Sequence, residues 1–149
     1  MGLFENKIKQ FPKIFDWVER QDVSRLGGFL HGNDRCNRLF VASGGSFSAA
    51  VYAEQLSADR GIMSHALTPL LYTGSGFAHM AARTLLISAS GYNNDILRAY
   101  DNGCRAEEQE TGAVVLSSKG RLQTLMQEND AKNLFGFDIP TGRDGFLSS

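Results

Sequence analysis

Cysteine is scarce in this chain. Cys36 and Cys104 are the only two in 149 residues, too far apart to suggest a disulfide framework or a CxxC motif. They read as reduced thiols, one in a loop and one on a helix face, and point to a cytoplasmic protein. Histidine is equally sparse. His31, His65 and His79 fall in separate segments without ligand spacing, so neither zinc nor another metal is expected. Charge of one sign is missing too: 15 Lys and Arg against 16 Asp and Glu leave a formal net charge of -1. That balance excludes a broad nucleic-acid or membrane footprint. No apolar run approaches the ~20 residues that cross a bilayer. The start, Met1 to Lys7, has no secretory hydrophobic region, and Asn6 stands where myristoylation needs Ser or Thr. What remains is ordinary globular composition, 42% apolar and 21% charged, in a length suited to one domain with one core.

The most informative stretch is Leu85-Leu86-Ile87-Ser88-Ala89-Ser90-Gly91-Tyr92-Asn93-Asn94-Asp95. A short apolar run ends in hydroxyls and a glycine, and a helical pattern (Ile96, Leu97, Tyr100, Cys104) follows at once. The same logic occurs upstream, where Arg38 to Ala42 leads through Ser43-Gly44-Gly45-Ser46 into a helix from about Phe47 to Arg60, stopped by Gly61. Each is strand, Gly/Ser turn, helix. The unpartnered N–H groups of a new helix, serine hydroxyls and the helix dipole together can hold a phosphate dianion without a cationic side chain. Glycine lets the backbone come close.

Around these turns the chain alternates. Apolar positions Ile8, Phe11, Ile14, Phe15 and Val18 predict a first helix, which Pro12 either kinks or starts. Val23, Leu26, Phe29 and Leu30 predict a second, ending near His31-Gly32. These helices are expected either to cover a sheet face or to join a partner subunit. Strands follow at 38–42, about 63–67, 84–88, 113–116 and 133–139. Residues 70–82 read as a loop with at most one helical turn, and Leu122, Leu125 and Met126 mark the last helix. Strands alternating with helices give an α/β fold, a three-layer α/β/α sandwich on a five-stranded parallel sheet of the Rossmann-like or flavodoxin-like kind. Residues 1–34 form an N-terminal helical segment and 35–149 the domain proper, which is expected to lack its last helix.

Over residues 35–149 these motifs resemble the sugar isomerase (SIS) domain, most closely the isomerase half of glucosamine-6-phosphate synthase. That resemblance implies a phosphosugar ligand, with Gly44, Gly45 and Ser46 along the phosphate and Gly45 in place of a usual threonine. The turn Ser88-Ala89-Ser90-Gly91-Tyr92-Asn93 is similar to the family's Ser-x-Ser-Gly-x-Thr. It places Ser88, Ser90, Gly91 and Asn93 at the ligand, Asn93 replacing the threonine and Ala89 a sugar-binding glutamine. Gly145 to Ser149, with Phe146, resembles the family's third loop. No cofactor is implied. Family enzymes interconvert aldose and ketose phosphates, which needs a base between adjacent carbons and an acid to open the ring. The catalytic group often comes from another subunit or a second SIS domain, so a homodimer or a tandem partner is expected. Within this chain Glu54 and His79 are the weak catalytic candidates, each better explained as a surface residue. Two functions therefore stay open: an isomerase or isomerase-like module completed by a partner, and a non-catalytic phosphosugar sensor.

Overall fold

A computed structural model describes residues 5, 8–32, 36–80, 82–106 and 109–140. Helices α1 (Phe11–Glu19) and α2 (Ser24–His31) precede strand β1 (Arg38–Ala42), helix α3 (Ser46–Ala58) and strand β2 (Ser64–Leu67). Helix α4 (Pro69–Gly74) and a 3-10 turn at Gly76–His79 lead to β3 (Arg83–Ser88) and α5 (Asn94–Cys104). Strand β4 (Glu110–Val115), helix α6 (Arg121–Glu128) and β5 (Leu134–Gly136) complete it. All strand pairs are parallel, in the order β2-β1-β3-β4-β5.

That order explains the layers. Parallel crossovers are right-handed, so a connection running one way along the sheet and one running the other way leave on opposite faces. The β1-to-β2 connection carries α3 to one face, where Phe40, Ala42, Leu85 and Phe135 bury against Ala50 of α3 and Phe29 of α2. The later connections run the other way. They place α4, α5 and α6 on the second face, where Leu39, Val41, Leu86, Ala113 and Val115 meet Tyr72, Ile96, Tyr100, Leu122 and Met126. Alternation of side chains along each strand serves both cores at once, and β1 is buried at every position. Each fully buried Leu or Ile, such as Leu86 and Ile96, contributes about 1.5–3 kcal/mol. The expected three-layer α/β/α architecture is the one observed.

Three boundaries differ from the sequence expectation. Residues 70–82 are mostly helical: the Thr68 hydroxyl accepts from the Leu71 N–H (3.3 Å) and Pro69 begins the helix, which carries the fully buried Tyr72 inward. Strand β4 starts at Glu110, because Glu110 to Gly112 pair with Arg83 to Leu85 although they are not an apolar run. Strand β5 is short, since its partner β4 ends at Val115 and Asp138 turns aside to accept from the Ser118 N–H (2.5 Å). The N-terminal segment is divided. Helix α2 belongs to the core through Phe29, whereas α1 begins at its proline and buries none of its residues.

Helix α3 ends as Gly61 predicts. With φ at +70°, Gly61 lets its own N–H reach the Ala58 carbonyl (2.9 Å) and the Ile62 N–H reach that of Ser57 (2.9 Å). A Cβ at Gly61 would meet nothing within 4 Å, so Gly61→Ala isolates backbone strain. It is expected to cost about 1 kcal/mol by chemical denaturation; no measurable loss would show that the helix end does not depend on the left-handed residue.

Candidate functional site

Strand order reverses between β1 and β3, and ligands of open parallel sheets settle at the carboxyl ends of the strands flanking such a reversal. Both Gly/Ser corners lie there. One step past the paired residues Ala42 and Ile87 come Ser43 and Ser88. From these points the chain departs to opposite faces, α3 one way and α5 the other, which opens a crevice between the corners.

A hydrogen bond spans that crevice: Asn93 Nδ2 donates to Ser43 Oγ at 3.0 Å. The other end of the same amide caps α5, its Oδ1 accepting from the N–H groups of Asp95 (2.8 Å) and Ile96 (3.2 Å). Asn93 is thus both the N-cap of one helix and the strut to the other corner. In the free protein its donor goes to Ser43.

Within the second corner the hydroxyls organise the turn. Ser88 Oγ, on a side chain only 6% exposed, accepts from the Gly91 N–H (3.1 Å), and Ser90 Oγ accepts from the Tyr92 N–H (3.3 Å). Because both oxygens act as acceptors, each O–H proton is left to donate to a ligand. Gly91 has φ at +71°, and Tyr92 presents a ring that is 59% exposed. The first corner is built differently. Gly44 turns the chain with φ at +55°, Gly45 follows, and Ser46 begins α3, whose start has no side-chain cap. The leading N–H groups of α3 therefore point outward, at the positive end of its dipole. Of the two helices, α5 is capped by Asn93 and α3 is open to an anion.

A third corner, Ser117 to Gly120 after β4, closes on the second. The Leu122 N–H donates to the Gly91 carbonyl at 2.9 Å. Gln123, 3% exposed, donates its Nε2 to the Ser117 carbonyl. Its Oε1 fills the notch left by the absent side chains of Gly91 and Gly120, without a hydrogen-bond partner of its own among the described residues. Ser43, Gln123 and this third corner were not singled out from the sequence. Ser43 had a signal, being the first hydroxyl after the apolar run. A lone glutamine in an amphipathic helix had none.

The weak catalytic candidates stand elsewhere. Glu54 lies eight residues into α3, about 12 Å along the axis from its start. It faces His65 of β2 at 3.6 Å. His79 is exposed and ends the 3-10 turn just ahead of the first residue of β3, hence toward the amino ends of the strands. Neither joins the corners. Asp95 in the first turn of α5 and Asp138 beside Ser118 are the nearest described carboxylates by position in the fold. Phe146, the rest of the 145–149 loop and Asp144 lie outside the described residues.

No family model matches the chain, and no curated protein does. Solved structures do. A tagatose-6-phosphate ketose/aldose isomerase from Escherichia coli superposes with a TM-score of 0.68 at 16% identity, over 91% of this chain and 40% of its own. A glucosamine-6-phosphate deaminase from Thermotoga maritima gives 0.65 at 16%, over 93% and 40%. Another Escherichia coli protein, solved in complex with a phosphosugar ligand, gives 0.68 at 17%, over 93% and 72%. The chain thus spans 40% of the length of the first two. It shares the fold of these proteins, which is the sugar-isomerase type that the two turns resemble.

Asn93 separates two roles that substitution can distinguish. Asn93→Ala removes the cap and the strut and is expected to cost about 1 kcal/mol. Asn93→Asp keeps an acceptor for the α5 N–H groups and loses only the donor to Ser43, so its cost should be smaller. Equal losses in urea denaturation would show that the strut, and not the cap, dominates. Gly91→Ala should be worse than Gly61→Ala, because its Cβ also collides with Gln123.

Proposed function

We propose that the crevice between the Ser43–Ser46 and Ser88–Asn93 corners binds a phosphorylated sugar or sugar derivative. The observation that carries this reading is the Asn93–Ser43 hydrogen bond, which puts the two corners within the span of one phosphate group. The phosphate would sit on the uncapped start of α3, with Gly44, Gly45 and Ser46 beneath it and the Ser88 and Ser90 hydroxyls donating from the other side. Gly91 and Asn93 shape and brace that side, and Phe146 is proposed to line it from the following loop. The similar folds of a protein holding a phosphosugar and of a ketose/aldose isomerase support the ligand class.

The chemistry we propose is aldose–ketose isomerisation, with the base supplied by a second copy of this chain or a second domain of the same kind. Glu54 and His79 stay as candidates only if a partner's arrangement places them at another crevice. Exposed apolar side chains on α1 and α3, including Phe15 (63% exposed), Val18 and Tyr52, offer surface for such a partner. The free thiols Cys36 and Cys104 suit the reducing cytoplasm. Among the described residues no helix is long and apolar enough to cross a membrane. One observation favours a second reading, a non-catalytic phosphosugar sensor: neither Glu54 nor His79 reaches the corners.

Calorimetric titration with a panel of aldose and ketose phosphates tests the site. Ser88→Ala and Ser90→Ala should each weaken the bound member at least about tenfold, since a hydrogen bond to a charged group contributes ~1.5–3 kcal/mol. Unchanged affinity would remove that serine from the site. Turnover of the same panel, measured on the chain at concentrations where it self-associates, separates isomerase from sensor: saturable binding with no product from any member selects the sensor.

A further inference from the structure

The opposite end of the sheet carries a different chemistry. Arg38 opens β1 on the α2/α3 face and is only 3% exposed. Its Nε is buried and has no acceptor among the described residues. The parallel register sets Arg38 directly beside Arg83 of β3, and like charges so placed repel. Arg83 is answered by Glu110, its neighbour on β4, through Nε to Oε2 at 2.9 Å. That carboxylate is committed to Arg83. Arg60, exposed just past α3, brings its Nη1 to 2.9 Å from His31 Nε2. A guanidinium only donates, so the ring accepts and is neutral at that nitrogen. Burial, then the charges of Arg60 and Arg38, hold the His31 imidazole below its ordinary range. Gly32 completes the corner: a Cβ there would stand 2.8 Å from both terminal nitrogens of Arg83, so its lack of a side chain admits the guanidinium.

Three guanidiniums and an imidazole thus gather around a single described carboxylate. A buried guanidinium without an acceptor is unfavourable. The carboxyl ends of α2 and α3 lie at this corner, and their dipoles keep the cluster tolerable when it is empty. We propose that Arg38, Arg60 and His31, with Arg83 behind them, form a second anion site that takes a phosphate-class oxyanion. Guanidinium forks match the tetrahedral oxygens of phosphate. Arg60 and His31 form the solvent-facing rim and Arg38 the floor. The site lies a strand's length, about 16 Å, from the Gly/Ser corners, and it does not rest on the function proposed for them. The phosphate can be free or carried on a nucleotide, and the chemistry of recognition is the same.

The test is a titration of the whole chain with inorganic phosphate, and in a second arm with a nucleoside diphosphate, chloride holding ionic strength constant. Amide NMR should show saturable shifts at Gly32, Arg38 and Gly61. They should persist in a Ser88→Ala/Ser90→Ala double variant and disappear in Arg60→Ala, whose side chain is exposed. The thermal midpoint should rise by about 5–10 °C at a hundredfold excess over Kd, and Arg38→Met should abolish that rise. If Arg38→Met does not fold, the titration of the His31 ring decides: its pKa should rise in phosphate relative to chloride, because a bound anion stabilises the imidazolium. Binding of inorganic phosphate assigns the site to free phosphate, and binding of the nucleotide alone assigns it to a carried one. The proposal is overturned if neither probe shifts this corner saturably, or if the shifts survive Arg60→Ala.

Discussion

Everything at the carboxyl end of the sheet depends on the reversal of strand order between β1 and β3. Because parallel crossovers have one hand, that reversal sends α3 and α5 to opposite faces and parts the chain between Ser43 and Ser88. The Asn93 amide then ties the parted ends together at 3.0 Å. A neutral hydrogen bond of this kind contributes only about 1 kcal/mol. Its importance is geometric, since it fixes how far apart the two sets of donors stand.

The asymmetry of the two helix starts follows from this strut. Asn93 spends its oxygen on α5 and its nitrogen on Ser43, so α5 has two of its leading N–H groups answered from within. The start of α3 has no such side chain. An anion entering the crevice therefore meets one open dipole and two hydroxyl donors, not two equivalent helix ends. Gln123 adds a second layer of support. It wedges the third corner against Gly91 and Gly120, where a side chain on either glycine would displace it. No cationic side chain is required for such a site, which is why the near-neutral charge of the chain is compatible with an anionic ligand.

The amino end of the sheet follows the opposite logic. There the helices end instead of beginning, so backbone dipoles favour positive charge, and Arg38, Arg60, Arg83 and His31 collect in that field. One sheet thus presents backbone N–H groups at one end and guanidiniums at the other. Both ends suit anions, by different means.

Much of this was legible in the residues themselves. The apolar runs at 38–42 and 84–88, closed by Ser/Gly turns and opening into helical spacing, determined two strand–turn–helix units and with them the parallel sheet. Gly61 determined where α3 stops, because only a residue at ease with positive φ suits that position. The 70–82 stretch was less legible: its helix depends on burying Tyr72 between layers, which periodicity over so few residues does not reveal. The tertiary structure alone decided that β1 and β3 are neighbours, that Asn93 reaches Ser43 rather than solvent, that Gln123 sits under two corners, and that Arg38 stands beside Arg83. The physical reason is that strand, turn and helix preferences act over a few consecutive residues, whereas these contacts join positions up to 50 residues apart. They exist only once the hand of the crossovers has set the order of the strands.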